Sequence, residues 1–275
     1  MKKRFFLASM LIVAGAAITF NSCKKEQVQP QNLSAVESTN PNRSVSNGSL
    51  KADNVGEAHN ALLEAYFAAK YDRISQANFE TQTVIADNFF CNELEQSFHK
   101  NYYCSDIASA KAEHIAYEKI TAQTDVNNYL AQFDFQLQRL SNVNGTDVLS
   151  ASAKQLMAEY RTALFQSKTI AEVLNKIDIL EANFNTKTTS KTDEELIKGI
   201  ISITRASAEF WSRPGNNDGG QRGPIGDGVG FLAGWGSSVW SEIWSNGSLC
   251  ECNSSHRLGQ GVIWGAAGSI DSGPL

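Results

Sequence analysis

Proline is absent between Lys51 and Trp211, although the 275-residue chain contains five. Nothing in that stretch therefore forces a helix to break. Histidine is scarce at four residues, and none stands beside a plausible nucleophile in sequence. The chain has no G-x-S-x-G elbow, no H-E-x-x-H, no G-x-x-x-x-G-K-[ST] loop and no Glu-x-x-His spacing of the di-iron kind. These absences remove the reaction classes that a short motif can announce. There is no basic block, and the formal net charge is −5, which is not the profile of a nucleic-acid binder. No uncharged apolar run reaches the ~20 residues that a membrane-spanning helix needs.

What is present begins at the front. Lys2, Lys3 and Arg4 precede an uncharged apolar run from Phe5 to Phe20, the order of a secretory signal. Cys23 follows directly, after the small residue Ser22. The segment resembles a bacterial lipoprotein signal, in which such a cysteine becomes the acylated first residue of the mature chain. Phe20 and Asn21 depart from the Leu and Ala/Ser usual there. The resemblance implies residues 1–22 as signal, Cys23 as lipidation site, and palmitate-type acyl chains as a membrane anchor. Several acyl chains, at about 0.8 kcal/mol per buried CH2, hold a protein on a bilayer almost indefinitely. Loss of the three leading cations takes the formal charge from −5 to −8.

Residues 23–52 are rich in Gln, Asn, Ser and Pro and have no apolar period. Such a segment buries too little apolar surface to offset its ordering entropy and is expected to be a disordered tether. Residues 53–211 carry helical periodicity nearly throughout. Asp53 is the expected cap of a first helix with Val55, Leu62, Leu63, Tyr66 and Phe67 on one face. Ile85, Phe89, Phe90, Leu94 and Phe98 mark the second. Ser105 is expected to cap an Ala-rich third, and Thr124 or Asp125 a fourth. The run "NVNGTD" is a turn. Three more amphipathic runs follow, the last behind a polar cap with an acidic first turn. The expectation is an all-α fold, an antiparallel bundle of about seven helices joined by short connections.

Residues 212–275 change in composition. "SRPGNNDGGQRGPIGDG" reads as an irregular loop. Two Gly-rich apolar segments follow, Asp227 to Trp244 and about Leu258 to Ser269, and the tail holds Trp235, Trp240, Trp244 and Trp264. "GVGFLAG" is a poor nucleotide loop, since a dinucleotide site needs a strand before it. Gly226, Gly230 and Gly234 instead recur every fourth residue, with Ser238 continuing the series. Gly261, Gly265 and Ser269 repeat it. Residues four apart share a helix face, so two small-residue faces imply an antiparallel hairpin with closely approaching backbones. Each helical glycine costs about 1 kcal/mol relative to Ala, so close contact must give something back. These spacings resemble the glycine-zipper segments of outer-membrane lipoproteins and the Gly/Ala-rich helices of small bacteriocins. Asp227 and Glu242 leave 14 uncharged residues between them, too few to span. "VGEAHN" (Gly56, His59, Asn60) resembles the start of the helical domain in uncharacterised exported bacterial proteins, a group that implies no activity.

With Cys23 acylated, Cys91, Cys104, Cys250 and Cys252 remain, an even number suited to disulfides in an exported chain. Three connectivities are open. A local Cys91–Cys104 bond, worth roughly 3 kcal/mol at this loop length, is favoured. It leaves Cys250–Cys252 as a feasible but strained pair, whereas crossed pairings would staple the tail's turn to the body. Zinc ligation by these cysteines with His99 and His256 fits the usual C-x(2-4)-C spacing poorly, so no metal and no cofactor are expected. Glu95/His99 and His114/Glu118 are i,i+4 pairs, read as solvated helix-face pairs.

The expected function is that of a lipid-anchored protein of the bacterial envelope, on the outer membrane facing periplasm or exterior. It would act by non-enzymatic binding or assembly with a protein partner or a second copy of itself. The alternative is a membrane-active protein of bacteriocin or toxin type working through the hairpin. No catalytic residue is expected.

Overall fold

The computed structural model describes residues 49–69, 71, 77–98, 104–121, 125–185, 190–213 and 222–271. Side chains at positions 104–109, 185, 222 and 271 are not described either. The signal, Cys23 and nearly all of the tether lie outside this set. Ser44–Leu275 group into one compact unit, and the change in composition at residue 212 falls inside it.

The fold is all-α. Among the described residues there are nine α-helices and no strand: α1 Val55–Ala68, α2 Phe79–Phe98, α3 Cys104–Thr121, α4 Val126–Leu140, α5 Ala151–Gln166, α6 Ile170–Asn185, α7 Lys191–Ser212, α8 Arg222–Asn246 and α9 Ser254–Asp271. Seven helices precede a C-terminal helical hairpin of two, as the periodicity predicts.

Local chemistry sets the helix ends. The side chain of Asp125 accepts the Asn127 N–H at the start of α4. Ser150 does the same for Ala153 at α5. Ser190 and Asp193 exchange bonds in a capping box that opens α7, satisfying donors that a helix start leaves open. Between α4 and α5, Asn144 and Gly145 take positive φ of 51° and 82° and the chain reverses at a Val143–Thr146 bridge. Asn-Gly is the pair that tolerates such a turn.

Three expectations about helix starts are corrected. Asp53 does not cap α1: it lies in a short 3-10 turn, Ala52–Asn54, whose Asn54 carboxamide accepts the Lys51 N–H. Ser105 stands inside α3, which begins one residue earlier at Cys104. The loop expected to run to Gly228 ends sooner, because α8 starts at Arg222. Pro224 sits in its first turn, where a missing N–H goes unnoticed.

The hairpin of α8 and α9 forms the centre of the molecule. Gly223 through Ser237 are all buried, and so are Arg257 through Ile270. A helix buried on every side is apolar all round, and this is what the Gly-rich segments encode. α1 and α7 lie together on one flank, with α2 and α3 across α9 and α4 along α8. α5 and α6 form an outer layer against α7. Trp211, Trp235 and Trp264 are fully buried in the shared core.

Candidate functional site

The glycines explain how two backbones share that centre. A Cβ at Gly226 would stand 2.7 Å from the carbonyl oxygen of Gly268, and one at Gly268 would meet Gly226. At Gly230 it would collide with the Trp264 carbonyl oxygen, and at Gly234 with that of Gln260. Gly265 faces the Asp227 carbonyl and Ile203, while Gly261 accommodates the Phe231 ring. The α8 face thus consists of the three glycines read from the sequence. On α9 the point of closest approach includes Gly268, which the every-fourth-residue count passed over because that count continued to Ser269.

Three buried polar clusters pin this hairpin to the surrounding helices. The first lies at its open end. His59 Nε2 on α1 is 3.1 Å from Asp227 Oδ2 on α8, and both side chains have no solvent exposure. Ser269 on α9 donates its hydroxyl to Asp227 Oδ1. Trp211 on α7 donates its indole N–H to Ser269 Oγ at 3.1 Å. The other ring nitrogen of His59 lies 3.0 Å from Asn60 Oδ1, and the Asn60 amide donates to the Ala206 carbonyl. Three helices meet at the Asp227 carboxylate, and α7 joins them through Ser269. The residue types are those of a hydrolytic triad, but the connections are not. A nucleophile must bond to its base, whereas Ser269 bonds to the acid.

The second cluster lies between α2, α3 and α9. His114 Nδ1 is 2.8 Å from Asp87 Oδ1, and its Nε2 is 3.0 Å from Glu118 Oε1. The Trp264 indole lies flat on the imidazole, centroids 4.3 Å apart and planes within 6°. Burial alone would push the His114 imidazole down. The Asp87 and Glu118 carboxylates outweigh it and hold the ring at about 9. The imidazole is therefore a cation at neutral pH, stacked on an indole that favours a cation. Burial pushes the Glu118 carboxyl up, against the pull of His114. The sequence reading of His114/Glu118 as a solvated pair is thereby corrected: both are completely buried. Asp87, supplied by another helix, is the second carboxylate partner of the imidazole.

The third cluster closes the hairpin. Arg257 on α9 donates to Glu195 on α7 through Nε and Nη2, at 2.9 Å each, and to Glu242 on α8 at 2.7 Å. Trp235 donates to Glu195 at 2.6 Å. Glu242 also accepts the Cys250 N–H and the Asn253 amide, so it organises the turn. Burial works against the Arg257 cation, but two carboxylates in bidentate and single contact hold its guanidinium above its ordinary range. Replacing the whole of such a triad by apolar residues is often harmless, while removing one member strands a buried charge.

The cysteines fall as follows. Cys250 and Cys252 are bonded to each other across the turn. Cys91 is disulfide-bonded, and its partner is not among the described side chains. Cys104 is likewise outside them, as are His99 and Cys23. Among the described residues no group of three or more His, Cys, Asp or Glu is arranged to hold a metal ion. Their helices include none long and apolar enough to cross a membrane. An open cleft of about 310 Å³ runs between α1, α6 and α7, lined by Asp53, Glu57, Glu181, Lys198, Arg205 and Glu209 among others. Its two cations are already paired: Lys198 with Glu194 and Asp53, Arg205 with Asp178 and Glu181.

The residues missed in the sequence had a signal. Asp227, Glu242 and Arg257 are charges set within or beside the Gly-rich apolar runs of α8 and α9, and charges are almost never buried unless paired. His114, Tyr117, Glu118 and Thr121 recur at helical spacing on one face of α3. Of the stretch "VGEAHN", Val55, Gly56, Ala58 and His59 are buried, while Glu57 is exposed. A Cβ on Gly56 would meet Ser202 and Ala206, and His59 and Asn60 join the first cluster. No family model, no curated protein and no solved structure matches the chain.

Proposed function

We propose that this chain is a lipoprotein of the bacterial envelope, held at a membrane by acyl groups on Cys23, whose helical body acts by non-enzymatic binding or assembly. The observation that carries the reading is the position of Cys23, directly behind a cationic start and an apolar run too short to span. The core supports the non-enzymatic half. The charged side chains of its three clusters are paired with one another, and in none of the three is a nucleophile bonded to a base. Binding would use the surface, and the cleft between α1, α6 and α7, rich in carboxylates, suits a basic segment of a partner.

The test is metabolic labelling of the full chain in a bacterial host with an alkyne analogue of palmitate. The wild-type chain incorporates label and sediments with membranes, whereas Cys23→Ser does neither. Equal labelling of the Cys23→Ser chain, or a soluble and unlabelled wild type, would defeat the reading.

The second reading, a membrane-active hairpin, draws on the burial of α8 and α9 on all sides, since helices apolar all round suit a core or a membrane alike. Against it stand Asp227, Glu242 and Arg257 on those helices, each of which would lose its partner on release. Dye release from liposomes by residues 24–275 separates the two, because a hairpin that stays in the core releases none.

A further inference from the structure

Among the chain's tryptophans Trp244 is different. Its side chain is 58% exposed, whereas Trp211, Trp235 and Trp264 are buried. It stacks on Trp240 with centroids 5.4 Å apart and planes within 7°. The Arg139 guanidinium lies over Trp240, 4.6 Å from the ring centre, and Arg139 is itself paired with Glu113. An exposed indole is thus held in a ready-made stack on the last two turns of α8. Indoles of this kind settle at the headgroup level of a bilayer, where one end is wet and the other apolar.

The fold also shows where the membrane would be. Trp244 lies at the closed end of the hairpin, next to the turn that Glu242 organises through Cys250 and Asn253. The chain enters the body at that same end: the Leu50 carbonyl accepts the hydroxyl of Ser255, the second residue of α9. Only 26 residues separate Cys23 from Leu50. As the disordered tether expected from the sequence, a chain of that length has a root-mean-square span of about 30 Å. α8 alone, at 25 residues, is about 38 Å long. A tether of that span puts the closed end within reach of the bilayer, and the open end lies a helix length farther along the body.

We infer that the Trp240–Trp244 stack is a second membrane contact, seating the closed end of the body in the lipid headgroup region beside the anchor. This rests on the anchor at Cys23 proposed above. A single weak interfacial contact does not hold a free protein, but on a tethered body it acts at the high effective concentration that the tether sets.

The experiment supplies the anchor chemically, so it does not depend on natural lipidation. The chain 23–275 is coupled through Cys23 to a maleimide-headgroup lipid in phosphatidylcholine/phosphatidylglycerol vesicles, with and without brominated phospholipid. Tryptophan emission is expected to be quenched in the brominated vesicles. The quenching is expected to vanish in a Trp240→Phe/Trp244→Phe chain, whose other indoles are buried. Circular dichroism checks that this variant is folded. No quenching of the wild type, or equal quenching of the variant, would overturn the inference. So would a Trp244-dependent dimer by sedimentation, which would make a second copy the occupant of this face. Failure of palmitate labelling, by contrast, would count against the anchor alone.

Discussion

The outer layer of α5 and α6 and the central hairpin of α8 and α9 use ionic pairs in opposite ways. In the outer layer Arg161 forms a two-point contact with Asp134, and Lys154 meets Asp147. These side chains are between about a third and a half exposed. At the hairpin, Arg257 and its two carboxylates are almost fully buried. Geometry is similar in both places, but solvent decides the energy. An exposed pair exchanges water for a partner at nearly no gain, whereas a buried one fixes the arrangement because no alternative partner exists. The charges that specify this fold are therefore the few in its centre, and the many on its outside keep it solvated.

Breaking the central triad is the largest expected effect. Arg257→Met leaves Glu195 and Glu242 buried without a cation and is expected to cost about 3–5 kcal/mol in urea unfolding. Titration of the second cluster comes next. The His114 imidazole is held at about 9 against an ordinary 6.5, so its contribution is complete below pH 6.5 and is lost as pH rises through 9. That difference corresponds to roughly 3 kcal/mol. Stability is expected to fall across that window in the wild type and to stay level in a His114→Gln/Glu118→Gln chain, which lacks both coupled groups, whatever its absolute value.

A pair of glycine variants sharpens the comparison at a smaller scale. Gly230→Ala forces a methyl against the Trp264 carbonyl and is expected to cost about 1–3 kcal/mol. Gly236→Ala, on the same helix, meets only Leu140 and Gln136 side-chain atoms at 3.6 Å or more and is expected to be neutral or to gain up to about 1 kcal/mol. The smallest effect belongs to the outer layer, where Arg161→Ala is expected to shift unfolding by less than about 0.5 kcal/mol.

The same contrast governs what can be read from the chain before folding. Period and cap chemistry are local, so Ser190 and Asp125, the Asn144–Gly145 turn and the order of seven helices before a hairpin all show in the sequence. The glycine register on α8 shows too, since residues four apart must share a face. Pairing across helices does not. Asp87, 27 residues before His114, gives no local sign that it will face that ring. α2 illustrates the consequence: Phe90, Leu94 and Phe98 of its predicted apolar stripe are buried, but Ile85 and Phe89 are only partly so, while Thr83, Ala86 and Asp87 are buried instead. The buried face turns to bring Asp87 to the imidazole. Gly268 escaped because close approach on α9 departs from a strict spacing of four.

Hydrogen exchange of the α8 amides from Val229 to Ser237, followed with and without phospholipid vesicles, tests most directly whether the hairpin is the fixed centre of this molecule. These amides are expected to exchange only through global unfolding, at a free energy equal to that from urea, and to be unchanged by vesicles. Exchange through a smaller opening, or acceleration by vesicles, would contradict this and make the hairpin the moving, membrane-seeking part of the protein.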